Sequence, residues 1–338
     1  MPPQRADLIP DQVSRILVDA DVFSLHQRDA MTAIRARLEE MATVPLPARG
    51  RTEARWRWLA DLAREDLSLA RLAEGHLDAR AILIECDRAD LLDHGCWGVW
   101  AAEPGQMRAE HRGRHGWRLI GEKRWCSGSV ALDHALVTAV AEDGPRLFAV
   151  PASAGQVVPG SWCPLGMEAT ASHTLRFDTQ VDDRGAIGGP NAYVERPGFW
   201  HGAAGVAACW YGGATGVAEG LRRRVLDDAA GSAGAAWGRV RARLDAGGAL
   251  LERVARGADA FPQDLPRARI EAISLRLAVT ELAELVLRDV TVEGGAGALA
   301  HDEPHWRRVA DLTLYLRQLH SFRDARSLGE LAGEAYRW

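Results

Sequence analysis

The chain has 338 residues, 47% of them hydrophobic and 26% charged, with a formal net charge of −5. That length supports a large core and favours more than one domain, and the acidic balance argues against nucleic acid or an anionic membrane as a partner, since phosphate binding needs a concentrated basic patch. The five cysteines (Cys86, Cys96, Cys126, Cys163, Cys209) are odd in number and form no C-x-x-C pair, which argues against a disulfide framework or a metal site and fits a reducing cytoplasm.

The opening residues, "MPPQRADLIPDQVSRILVDADVF", lack the apolar region of a secretion signal. Residues 1–94 read as a helical domain. "MTAIRARLEEMATV" and "RTEARWRWLADLAREDLSLARLAEGHLDARAILIEC" carry apolar residues at mixed three and four spacing with charges between them. From Gly95 to about residue 190 the texture becomes short apolar runs cut by turn signals, which predicts a central antiparallel β-domain, as a small sheet or barrel. "GWRLIGEKRWCSGSVALDHALVTAV", Gly116 to Val140, reads as a hairpin with its exit loop. "EDGPR", Glu142–Arg146, reads as a Gly-Pro turn. In "TLRFDTQV" Leu175 and Phe177 alternate with Arg176 and Asp178, the pattern of a half-buried antiparallel strand.

Residues 191–338 return to long helical patterns with short connections, the signature of a four-helix bundle. The first helix carries the longest uncharged run, Gly202 to Ala218, too short and too rich in glycine to predict a membrane span. The second stops before Pro262. The third opens near Pro266 and is predicted to end at the glycines of "EGGAG". The fourth, "PHWRRVADLTLYLRQLHSFRDARSLGELAG", places Leu312, Leu316 and Leu319 on one face. Twelve tryptophans call for flat apolar surfaces in a core, a subunit contact or a pocket for a planar ligand.

Four stretches resemble the acyl-CoA dehydrogenase family. "WAAEPG" (Trp100–Gly105) resembles its Thr-Glu-Pro-Gly segment, and "GWRLIGEKRWCSGS" its Gly-x-Lys-x-Trp-Ile-Thr strand. "LGMEATASHTLRFDTQVD" (Leu165–Asp182) is similar to its L-G-x-x-x-S-x-T segment, and "EGGAG" (Glu293–Gly297) to its late Gly-Gly-x-Gly turn. The resemblance implies an α+β fold with an N-terminal helical part, a central β-domain and a C-terminal four-helix bundle, FAD as cofactor, an acyl thioester or other small molecule as substrate, and a homo-oligomer, dimer or tetramer. It implies FAD contacts at Ala102, Trp125, Ser127, Gly294, Gly295 and Gly297. Trp125 would lie against the flavin ring and Ser127 would offer its hydroxyl to the N5 edge. An aromatic wall and a few directed polar groups are what a planar heterocycle needs.

The family's reaction needs a carboxylate to remove an α-proton. Of its two locations, one falls on Leu319 and His320 and the other on Val206, none of them acidic. His320 is the candidate substitute, as flavin monooxygenases on this fold do without the Glu. Its other reading is a solvated helix face pairing with Asp324. Further departures are Ala102 in place of a hydroxyl residue, "GQMRAEHRG" in place of Gly-Ser-Asp, no Arg-x-x-Phe-Gly segment, and Thr291 in place of Gln. Glu271, Glu281 and Glu284 read as helix charges, His201 as a cap, Arg222–Arg224 as a solvated run and Cys126 as a buried inert thiol. Three functions stay open: α,β-dehydrogenation of an acyl thioester, a flavin-dependent oxygenase or oxidase using His320, and a non-catalytic binding or assembly protein.

Overall fold

Aspartate and proline set the helix starts. The Asp66 carboxylate accepts from the Leu69 N–H at 2.8 Å and opens the helix Leu67–Glu85. Asp264 does the same for Arg267, with Pro266 in the first turn of the helix Leu265–His301. The computed structural model describes residues 25–92, 95–102, 106–227 and 232–333. The opening residues read above for a signal, and Glu103–Gly105, lie outside that set.

Among the described residues four helices come first: α1 (Leu25–Ala36), α2 (Leu38–Thr43), α3 (Thr52–Glu65) and α4 (Leu67–Glu85). Eight strands follow: β1 (Trp97–Trp100), β2 (Met107–His111), β3 (Trp117–Cys126), β4 (His134–Ala141), β5 (Gly144–Pro151), β6 (Gly155–Val157), β7 (His173–Val181) and β8 (Ala186–Ile187). After the short α5 (Ala192–Glu195) come the long helices α6 (Pro197–Asp227), α7 (Ser232–Ala260) and α8 (Leu265–His301), then α9 (Glu303–Leu316) and α10 (Ser321–Ala332).

The sheet runs β6-β7-β3-β2-β4-β5-β8, with β1 also on β4. β1 and β2 both pair with β4 in parallel, Trp97 opposite His134 and Arg108 opposite Val140, while the other pairs are antiparallel. The sheet is therefore mixed where alternation suggested purely antiparallel pairing. Residues 116–140 are not a hairpin either, because β2 lies between β3 and β4. The local hairpins are β2–β3 and β4–β5, and Glu142 and Asp143 make the tight turn of the second. In β7 Leu175 and Phe177 are buried and Arg176 and Asp178 exposed, in agreement with the alternation.

One apolar core joins Leu59, Leu77, Val137, Phe177, Cys209, Val240 and Leu312, so helices and sheet share an interior. A second, smaller cluster of Ile82, Leu83, Trp97, Leu136, Leu147 and Ile187 joins α4 to the sheet. The bundle departs from the sequence reading in two places. The third helix does not stop at "EGGAG" but kinks at Gly295 (φ 63°, ψ −173°) and runs on to His301. The fourth breaks between Leu316 and Ser321 into α9 and α10, although Leu312, Leu316 and Leu319 are all buried as their spacing predicts. Among the described residues no helix is long and apolar enough to cross a membrane.

Candidate functional site

Strand β3 ends in an irregularity, its register against β7 shifting between Lys123 and Cys126. Trp125 sits in that shift with φ 61°, a left-handed conformation that a bulky side chain adopts only under constraint. Its neighbours explain the constraint. Lys123 is buried with Nζ donating to the Thr138 carbonyl (3.0 Å) and hydroxyl (2.7 Å), and Cys126 is buried with its thiol directed at the Lys123 carbonyl (3.2 Å). With both flanks fixed inward, the Trp125 indole is turned out and is 51% exposed, with the Trp162 ring edge-on at 6.0 Å. Burial pushes the Cys126 thiol up to about 12, which leaves it protonated and inert.

Beside Trp125 lies a directed chain of hydroxyls. Thr170 Oγ1 donates its one proton to the Met167 carbonyl at 2.8 Å. The 2.8 Å bond from Ser172 Oγ to Thr170 Oγ1 must then carry the Ser172 proton, and the 2.8 Å bond between Ser127 and Ser172 must carry that of Ser127. With all three bonds made, Ser127 turns its lone pairs outward, where it can accept from a ligand N–H. The chain is anchored at its far end, where the Met167 N–H donates to the half-buried carboxylate of Asp311 on α9. Burial raises Asp311 to about 6. The same loop lies tight on the bundle, because a Cβ at Gly166 would overlap the backbone of Ala310 and Asp311.

The other predicted residues are dispersed. Ala102 follows β1, in the break between two strands that run along the same partner. Gly294, Gly295 and Gly297 lie at the kink of α8, where Arg224 donates to the carbonyls of Glu293 (2.8 Å) and Gly294 (3.4 Å). His305 Nε2 and Arg308 Nε are buried without hydrogen-bond partners among the described residues. His320 is exposed at the N-cap of α10. Its carbonyl accepts from the Asp324 N–H at 2.9 Å, and the Asp324 carboxylate faces Arg323 at 3.2 Å. Leu319 and Val206 are buried, so neither family position brings a carboxylate to the interior.

A buried carboxylate does exist, and it comes from the opposite side. Arg71, Glu74 and Asp78 form one stripe of α4, turned into the protein. Glu74 is 6% exposed. Its Oε2 accepts from Arg71 Nη1 at 2.6 Å and from the Tyr315 hydroxyl of α9 at 3.3 Å. Asp78 is held by buried Arg55 at 2.8 Å. Burial raises Glu74 to about 7; Arg71 opposes the shift and the nearby Asp78 adds to it. Arg71 also lines a cavity of about 10 Å³ with Gly98, Val99, Ser127 and Leu132, room for about one water. Ser127 and Arg71 thus border the same small cavity. Glu74 does not stand out in the sequence because charges between apolar residues look like a solvated helix face. The available signal was the small-residue run of Ala70, Ala73, Gly75 and Ala79, which lets neighbours close on α4 from several sides. A larger cleft of about 200 Å³, lined by Trp56, Arg57, Tyr211, Leu251 and Glu252 among others, contains none of the predicted residues.

No family model matches the sequence, and neither does any curated protein. Solved structures do match. Dibenzothiophene monooxygenase TdsC from Paenibacillus sp. A11-2 superposes with a TM-score of 0.74 at 17% identity, over 93% of this chain and 97% of its own. XiaF from Streptomyces sp., solved with FADH2 and glycerol, matches at 0.72 and 17% identity over 96% of this chain and 92% of its own. Glutaryl-CoA dehydrogenase from Mycobacterium smegmatis, in complex with FADH2, matches at 0.71 and 15% identity over 95% of this chain and 98% of its own. The chain has the acyl-CoA dehydrogenase-like fold, a fold that monooxygenase and dehydrogenase share at this level of similarity.

Proposed function

We propose that the chain is a flavin-dependent oxidoreductase of the oxygenase or oxidase kind, acting on a small molecule. The observation that carries this reading is the exposed, left-handed Trp125 beside a serine that turns its lone pairs outward. A strained aromatic turned outward gains nothing for the apolar core, and strain of this kind persists where a ligand uses it. The residues fit the ring of a flavin: Trp125 as a wall and Ser127 as acceptor for a ring N–H. When bound, the flavin supplies the electron transfer to or from substrate and oxygen. Ser127 and the chain behind it fix the ring edge, Trp125 and Trp162 keep water from one face, and Glu74 holds a proton to near neutral pH. The apolar residues Val206 and Leu319 weigh against dehydrogenation, which needs a carboxylate over the reacting carbon. Dehydrogenation of an acyl thioester is the second reading, and it rests on Glu74 taking that part.

The test is titration of purified protein with FMN and FAD, followed by chemical reduction and measurement of oxygen uptake. Flavin binding with rapid oxygen uptake is expected. Bleaching of bound flavin by an acyl-CoA would favour dehydrogenation instead, and a protein that takes up neither flavin would leave the non-catalytic reading. Trp125→Gly is expected to weaken flavin binding at least tenfold, read by flavin fluorescence quenching. Its stability should stay within about 1 kcal/mol of the parent, because relief of left-handed strain offsets the lost ring contact.

A further inference from the structure

Arg276, on α8, has no ion-pair partner among the described residues. Its guanidinium lies over the Trp210 ring, 5.2 Å from the centroid. Its Nε is sealed from solvent with no hydrogen-bond partner, and the side chain as a whole is only partly accessible. The terminal nitrogens have no bonding partner among the described residues. The carboxylates that act on it, Asp324 and Glu74, are each engaged by another arginine, Arg323 at 3.2 Å and Arg71 at 2.6 Å. A half-buried arginine left unpaired is unfavourable, and a Met of similar length would carry no such cost.

A second feature converges on the same place. Arg323 and Asp324, both close enough to act on the Arg276 charge, lie in the first turn of α10. That helix opens at His320 without a side-chain cap, and the Asp324 N–H is the first to bond back, to the His320 carbonyl at 2.9 Å. The preceding N–H groups of the turn therefore add a positive end to the arginine. Tyr315, whose hydroxyl reaches Glu74, stands edge-on to Trp210 at 6.1 Å, which ties this corner to the α4 stripe and through Arg71 to the cavity at Ser127.

We propose that Arg276 is the docking group for a carboxylate carried by the substrate. A planar guanidinium whose two terminal nitrogens have no partner among the described residues is matched to a carboxylate in a bidentate pair. The substrate class is an apolar or aromatic carboxylic acid. Calling the bound acid a substrate rests on the flavin reading above; the binding itself does not, so it is measured on flavin-free protein.

Calorimetric titration with benzoate and phenylacetate, and with benzamide as the neutral analogue, tests the assignment. Wild-type protein should bind at least one of the acids and should bind benzamide at least tenfold more weakly. Arg276→Met should lose acid binding at least tenfold and keep or raise the melting temperature, and Arg276→Lys should fall between. Flavin titration of Arg276→Met should be unchanged, which separates this assignment from the flavin reading. Wild-type protein that binds neither acid, benzamide binding as tightly as the acids, or Arg276→Met binding like wild type would each overturn it. A melting temperature lowered in Arg276→Met with acid binding intact would assign the arginine to packing instead.

Discussion

Glu74→Ala is expected to cost about 3–5 kcal/mol in urea unfolding at pH 7, because it leaves the inward-facing Arg71 guanidinium without its partner. The pair itself need not be strongly stabilising for this to hold. Desolvating both charges takes back most of what their attraction returns, whereas removing one leaves the whole penalty on the other. The double exchange of Arg71→Met with Glu74→Ala should therefore recover most of the loss, and a full double-mutant cycle would give the coupling. Glu74→Gln separates charge from packing. Burial raises Glu74 to about 7, above the ordinary glutamate range. The folded protein then binds this proton more tightly than the unfolded chain, so its contribution is fully present below about pH 4.5 and is lost as pH rises towards 7. Wild type should lose roughly 3 kcal/mol across that window relative to Glu74→Gln. Parallel unfolding curves for the two proteins from pH 5 to pH 8 would show that the carboxylate titrates normally.

Gly166→Ala is expected to destabilise by about 1–3 kcal/mol and to weaken flavin binding together with stability. The new methyl would overlap backbone atoms of Ala310 and Asp311, which cannot swing aside as a flexible side chain could. The loop must lift from α9, drawing the Met167 N–H from Asp311 and moving the Met167 carbonyl on which the polarity of the Ser127–Ser172–Thr170 chain depends. Gly238→Ala is the control. It lies in α7 with open space where the new methyl would sit, so alanine there should raise stability by up to about 1 kcal/mol. Flavin affinity that survives in Gly166→Ala would detach the hydroxyl chain from the ligand.

Much of the order of elements was legible because periodicity is local. Leu175 and Phe177 declare a half-buried strand by themselves, and Pro266 declares a helix start. The parallel pairing of β1 and β2 with β4 was not legible, since partners such as Trp97 and His134 leave no mark in the sequence between them. The break between Leu316 and Ser321 was hidden by an apolar spacing that continues through Leu319 with no proline or glycine to interrupt it. At the site, Trp125 and Ser127 could be chosen by resemblance, but the direction of the Ser127 proton is set by Thr170 and Met167, more than forty residues away in sequence from Ser127 at the level of Thr170. Glu74 and Arg276 escaped for one reason. Each is a common charge on a helix, and only tertiary packing removes the solvent that such a charge ordinarily keeps.

The position of β2 between β3 and β4 bears on how the chain folds. The hairpins β2–β3 and β4–β5 close over short loops and can form early. Joining them requires Arg108 to meet Val140 in parallel, and completing β3 requires β7 to return opposite it, Trp117 against Val181. Both steps close long loops before any contact rewards them. The sheet should therefore assemble as two preformed halves whose seam closes late, and hydrogen exchange during refolding would find the β2–β4 seam protected after both hairpins.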